Sequence, residues 1–158
     1  MMHKFILILL LIAFTLSNIQ AQTSAETRKR QYNLDQSGLA LSGYDPVTYF
    51  AKQKAVEGKK DITLLNEGVT YRFANTQDRD LFKANPAKYE PQYGGWCAFA
   101  MGDNGKKVLV DPETFKLVNG KLYLFYNKFF NNTKKSWDKD ESNLKTKADA
   151  NWNKFLQN

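Results

Sequence analysis

Cys97 and Met101 are the side chains of this 158-residue chain whose types and spacing most directly offer chemistry. They stand in Gly94-Gly95-Trp96-Cys97-Ala98-Phe99-Ala100-Met101-Gly102, a thiol after a Gly-Gly turn and a thioether four residues on. If 97–101 is one helical turn, both sulfurs share a face. A thiol at the start of a helix also lies where the dipole and free N–H groups favour thiolate. Soft sulfur ligands select Cu(I), and two are enough for a low-coordinate cuprous site, provided both sulfurs converge in an open cleft. The same residues fit two other readings. One is a thiol-dependent redox protein, limited by the lack of a second, resolving cysteine within the chain. The other is plain core filling, because buried Cys and Met are ordinary interior residues. Tyr44, Asp45, Tyr49, Tyr93, Trp96 and Phe99 flank these positions in sequence and form the candidate pocket, for a small ligand or as a shield around a metal.

The remaining composition narrows the chemistry. The chain opens Met1-Met2-His3-Lys4, continues with an apolar stretch from Phe5 to Phe14 and ends this segment at Ala21. That is the order of a secretory signal, a basic start, a short apolar core and a small-residue end, with cleavage expected after Ala21. The stretch is shorter than the roughly 20 residues needed to cross a bilayer, so no stable membrane anchor is expected after processing. The processed chain is expected in the periplasm or outside the cell. Removing residues 1–21 takes away His3, the single histidine, and leaves 22 basic and 16 acidic residues, a formal charge of +6. Without imidazole, Ser-His-Asp and Cys-His pairs and histidine-ligated zinc or copper centres are excluded. The lysines are dispersed and carry no recognition motif, so a solvated basic surface is expected and not nucleic-acid binding. Catalysis is not specified by these residues; a metal ion or small molecule is the expected partner.

Residues 22–37 are polar and without apolar periodicity, which reads as a flexible leader; the domain then occupies 38–158. Asp45-Pro46 is the start of a short helix, with Asp45 as its cap. Asp111-Pro112 offers the same signal. Two hairpins are expected, 62–65 with 69–73 around Asn66-Glu67-Gly68, and 115–118 with 121–125 around Asn119-Gly120. Leu122 and Leu124 alternate with Tyr123 and Phe125, the pattern of a strand covered on both sides. Residues 75–84 read as a helix capped by Asn75 or Thr76, with Leu81 and Phe82 inward and Asn85-Pro86 as its stop. Leu144, Ala148, Trp152 and Phe155 or Leu156 recur at helical spacing as a stripe expected to lie on the sheet. Tyr126, Phe130 and Trp137 are expected on a helix before it. The fold class is α+β, a small antiparallel sheet with helices packed against it, in a single domain.

Tyr71-Arg72-Phe73, Leu81-Phe82-Lys83-Ala84-Asn85-Pro86-Ala87-Lys88-Tyr89 and the upstream Tyr44-Asp45-Pro46-Val47 together resemble the YHS-domain proteins. The segment Pro91-Gln92-Tyr93-Gly94-Gly95-Trp96-Cys97-Ala98-Phe99-Ala100 is similar to the exported, single-domain branch of that family. The resemblance runs from about Gly38 to the C-terminus. Relatives in copper-transporting ATPases and some hydroxylases carry cysteines where this chain has Thr48, Ala74 and Asp78, and those thiols associate the family with metal binding. All three are absent here, and Arg72 and Asn75 stand where the family's name has histidine and serine. The cysteine retained in the exported branch is Cys97. The branch includes proteins labelled selenoproteins, which implies a redox or soft-metal role if the selenocysteine falls at this position. The expectation is therefore an exported YHS-type domain that binds a soft metal ion, copper as Cu(I), or a small ligand near Cys97. A redox protein using Cys97 and a non-catalytic interaction module with a structural Cys97 are the alternatives.

Overall fold

Caps and tight turns set most element boundaries. The computed structural model describes residues 25–157, so the export signal read in residues 1–21 lies outside the described residues. Asp45 caps helix α2 (Pro46–Ala51) by accepting the Val47 N–H at 2.8 Å, with Pro46 at the first helical position where its missing N–H costs nothing. Asn75 caps α3 (Thr76–Ala84) in the same way through the Asp78 N–H, and Asn85-Pro86 ends α3 and starts the single turn α4 (Pro86–Tyr89). Phe82 is buried as expected, but Leu81 is 49 % exposed. Adjacent helical side chains point about 100° apart, and Phe82 is the one that reaches Tyr71, Phe73 and Tyr89.

The strands form three two-stranded antiparallel hairpins: β1 (Lys59–Asn66) with β2 (Val69–Phe73), β3 (Asp111–Val118) with β4 (Lys121–Phe125), and the short β5 (Asn127–Lys128) with β6 (Asn131–Asn132). Asp111-Pro112 does not start a helix. Asp111 accepts from the Glu113 N–H and the Thr114 hydroxyl, and this local turn becomes an irregularity in β3, where the register shifts before Phe115.

β4 divides the interior. Leu122 and Leu124 enter one apolar cluster with Val47, Tyr49, Tyr71, Phe73 and Phe82, while Tyr123 and Phe125 enter a second with Tyr93, Met101, Trp137, Leu144 and Ala148. The expected two-sided burial of this strand is therefore present. The C-terminal helix α7 (Glu141–Gln157) lays its Leu144 and Ala148 stripe into the second cluster, chiefly against α5 (Ala98–Asp103) and not flat on a sheet. Gly102 permits that approach, because a Cβ there would collide with the Leu144 carbonyl. The helix expected to carry Tyr126, Phe130 and Trp137 is shorter: α6 spans Thr133–Trp137, and Tyr126 and Phe130 belong to the β5–β6 region. Residues 127–128 pair with 131–132 across a hairpin, which the aromatic spacing alone did not reveal.

Residues 25–37 are the largest departure from expectation. Within the described part of the leader, residues 25–31 form a helix, α1. Its Arg28 is buried, forms a two-pronged ion pair with Glu90 and stacks 4.6 Å over the Tyr32 ring. Burial alone would lower the Arg28 guanidinium, but the Glu90 carboxylate outweighs it and holds the cation above its ordinary value. Glu90 also accepts from the Tyr71 hydroxyl at 2.9 Å and the Asn66 amide at 3.3 Å. The Asn33 N–H then donates to the Gly94 carbonyl, and its amide donates to Gly95. Tyr32 and Leu34 add apolar contacts, but most of what fixes the segment is charged and hydrogen-bonded, which its polar composition hid.

Candidate functional site

Cys97 immediately precedes α5, and the Met101 N–H donates to its carbonyl at 3.0 Å, so 97–101 is the expected single helical turn. Its own N–H donates to Val108 and it pairs beside Leu124 of β4, which holds the residue between strand and helix. The sulfur is enclosed. Cys97 is 0 % exposed, its Sγ accepts the Tyr126 N–H at 3.4 Å and lies 3.4 Å from the Thr133 hydroxyl. That hydroxyl donates to the Tyr126 carbonyl at 3.0 Å, which assigns the remaining bond: the Cys97 S–H donates to Thr133 Oγ1. A small closed ring of hydrogen bonds thus fixes the thiol.

Neither sulfur opens to solvent. Met101 is fully buried in the second apolar cluster beside Trp137, Leu144 and Ala148, and takes no part in the surroundings of the Cys97 thiol just described. This donor set does not fit a cuprous site that needs both sulfurs in an open cleft. Among the described residues, no group of three or more His, Cys, Asp and Glu side chains is placed to hold a metal ion.

What lies over Cys97 is an open surface cavity of about 260 Å³. Phe99, Ala100, Val108 and Tyr126 form its apolar wall, and Asn104, Asn131 and Thr133 its polar edge. Cys97 is beneath this wall, sealed from solvent. Of the six aromatic and acidic pocket candidates, Phe99 alone shares the cavity. Tyr93 instead donates to Asp149 at 2.9 Å and faces a separate 440 Å³ depression with Tyr32, Glu90 and Trp152. Trp96 donates from its indole to the Gln31 carbonyl at 2.7 Å, gripping α1. Tyr44 reaches Glu113 and Tyr49 donates to the Pro112 carbonyl, both on the other side of β4. The lining residues that sequence spacing missed are Ala100 and Asn104, near Cys97 in the chain, and Val108, Tyr126, Asn131 and Thr133, which come from a loop, the β5–β6 region and the start of α6; nothing local marked them.

Asp45 is more than a cap. It is fully buried, and its second oxygen accepts the Ala74 N–H at 2.8 Å, while its carbonyl receives the Thr48 hydroxyl at 2.9 Å. Desolvation pushes its carboxyl up to about 6; the two amide bonds oppose this and the neighbouring Asp78 adds to it. Ala74 and Asp78 thus meet the Asp45 carboxyl, while Thr48 bonds to its main-chain carbonyl.

Tyr126 and Thr133 flank the β5–β6 hairpin, so the cavity wall and the Cys97 bonds share that support. Comparison of the chain with family models, curated proteins and solved structures gave no match.

Proposed function

We propose that this is an exported, non-catalytic binding module of YHS type that takes a small apolar ligand, of about one aromatic ring in size, in the cavity over Cys97. The observation that carries the reading is the cavity itself. It is concave and walled by Phe99, Ala100, Val108 and Tyr126, with Asn104, Asn131 and Thr133 at one side to orient a polar group. Its 260 Å³ lies just under the range of about 300–1,000 Å³ usual for ligand sites, which favours a compact guest. Cys97 serves as its floor. A nucleophilic thiol needs solvent access, and Cys97 has none. The export signal read at residues 1–21 supports a periplasmic or secreted location.

Indole is a suitable probe. Titrated into ¹⁵N-labelled protein, it is expected to shift the Cys97, Ala100 and Tyr126 amides saturably, and Val108→Phe, a change at a half-exposed cavity residue, is expected to remove the response. Equal shifts in wild type and Val108→Phe would overturn the reading. So would stoichiometric Cu(I) binding that Cys97→Ser abolishes, because a metal would then occupy the sulfur.

A further inference from the structure

The β5–β6 hairpin turns through Phe129 and Phe130, which connect Lys128 directly to its partner Asn131. Both residues have positive φ, 51° and 63°, the left-handed region that a two-residue type I′ turn requires and that Asn-Gly occupies with least strain. The other two hairpins follow that preference, with Glu67-Gly68 and Asn119-Gly120. Here two bulky side chains stand in the disfavoured conformation and gain no burial: Phe129 is 88 % and Phe130 111 % exposed. The hairpin's base is nonetheless tied down, since the Asn127 amide donates to Thr114 at 2.9 Å and Asn132 accepts the Lys134 N–H at the start of α6. A strained turn that projects an aromatic pair from a fixed base has a use outside the fold.

We infer that this tip is an interfacial membrane anchor, which inserts Phe129 and Phe130 into the headgroup region of an anionic bilayer. The tip is convex, so it suits a yielding surface, and phenylalanine partitions into the lipid interface. Charge selects the anionic one. From Thr114 to Trp137 the chain has five lysines and no acid; Lys116 and Lys134 are paired with Asp138 and Glu141 just beyond, while Lys128, which adjoins the tip, and Lys135 are exposed. Binding of this kind is reversible and needs no spanning segment; no helix among the described residues is long and apolar enough to cross a membrane. The inference is independent of the ligand reading.

The test uses the chain from Gln22, whose folded contacts described above lie within residues 25–157. Flotation with vesicles of phosphatidylcholine and phosphatidylglycerol at 3:1 is expected to carry wild type, and pure phosphatidylcholine to carry at least tenfold less. Phe129→Asn/Phe130→Gly is expected to weaken binding to the anionic vesicles at least tenfold while raising the melting temperature, because the turn is relieved. A variant that melts higher yet floats as well as wild type overturns the inference, since lysines alone would then suffice. Failure of wild type to float overturns it as well, and so does a dimer in ultracentrifugation that the double variant loses without any vesicle binding, which would make the tip a protein contact.

Discussion

The α1 segment and the β5–β6 tip reverse what their compositions lead one to expect. Residues 25–37 are polar, yet they are fixed by Arg28 on Glu90 and by Asn33 on Gly94 and Gly95. Phe129 and Phe130 are apolar, yet they are the most exposed large hydrophobic side chains among the described residues. What separates the two regions is the partner each can reach. Arg28 meets a carboxylate whose other acceptor sites are already taken by Tyr71 and Asn66, so ordering the helix completes a network. Phe129 and Phe130 sit at a turn whose geometry directs them away from both apolar clusters. Side-chain polarity sets the cost of burial, and backbone geometry decides whether burial is offered at all.

The sharpest way to break the first half of this comparison is Arg28→Ala. It leaves Glu90 enclosed without its cation, a loss of about 3–5 kcal/mol by the usual cost of breaking a buried pair. Denaturant unfolding measures it, and protease susceptibility should move to residues 25–37. An effect near zero would mean that the leader is only loosely attached.

Asp45 shows what a buried carboxyl does without such a cation. Its folded-state value of about 6 lies above the ordinary 3.8, so its favourable contribution is complete below pH 3.8 and is lost as pH rises through 6. Asp35, Asp138 and Glu141 are shifted downward by their hydrogen bonds and act in the opposite direction, so the informative quantity is a difference. Relative to Asp45→Asn, wild type is expected to lose on the order of 2 kcal/mol between pH 4 and pH 7. Parallel stability curves for the two proteins would contradict this.

Exchanging the turns probes the second half. Asn119→Phe/Gly120→Phe is expected to destabilise by about 2 kcal/mol, from forcing bulky residues into the left-handed region. The reverse exchange, Phe129→Asn/Phe130→Gly, is expected to stabilise by about 1 kcal/mol, because it relieves strain without removing a buried contact. Thermal melts of both suffice, and a destabilised reverse exchange would show that Phe129 or Phe130 packs in solution.

Much of the fold was legible because it is written in local chemistry. Asp45-Pro46, Asn75, Asn119-Gly120 and the alternation of residues 122–125 act over a few residues, and each produced the element expected of it. Leu81 was misplaced because a helical stripe tolerates either neighbour of Phe82 until the partner surface is known. The β5–β6 hairpin was invisible because its turn uses Phe129-Phe130 in place of the residues that signal such turns. The site was legible only in part. The helical turn from Cys97 to Met101 could be read from spacing, but that the thiol is enclosed while Met101 packs in the second apolar cluster depends on contacts far apart in sequence. Tyr126 and Thr133, which bind the sulfur, lie 29 and 36 residues from Cys97.

The central claim is that Cys97 supports a binding cavity and does not itself react, and because it is the single cysteine its thiol can be followed without ambiguity. Reaction of the folded protein with 5,5′-dithiobis(2-nitrobenzoate) at neutral pH tests this most directly. The expected result is labelling no faster than the opening of the fold, accelerated by denaturant and slowed by indole. Stoichiometric labelling within seconds, unaffected by indole, would contradict it and return the chemistry of this protein to the sulfur.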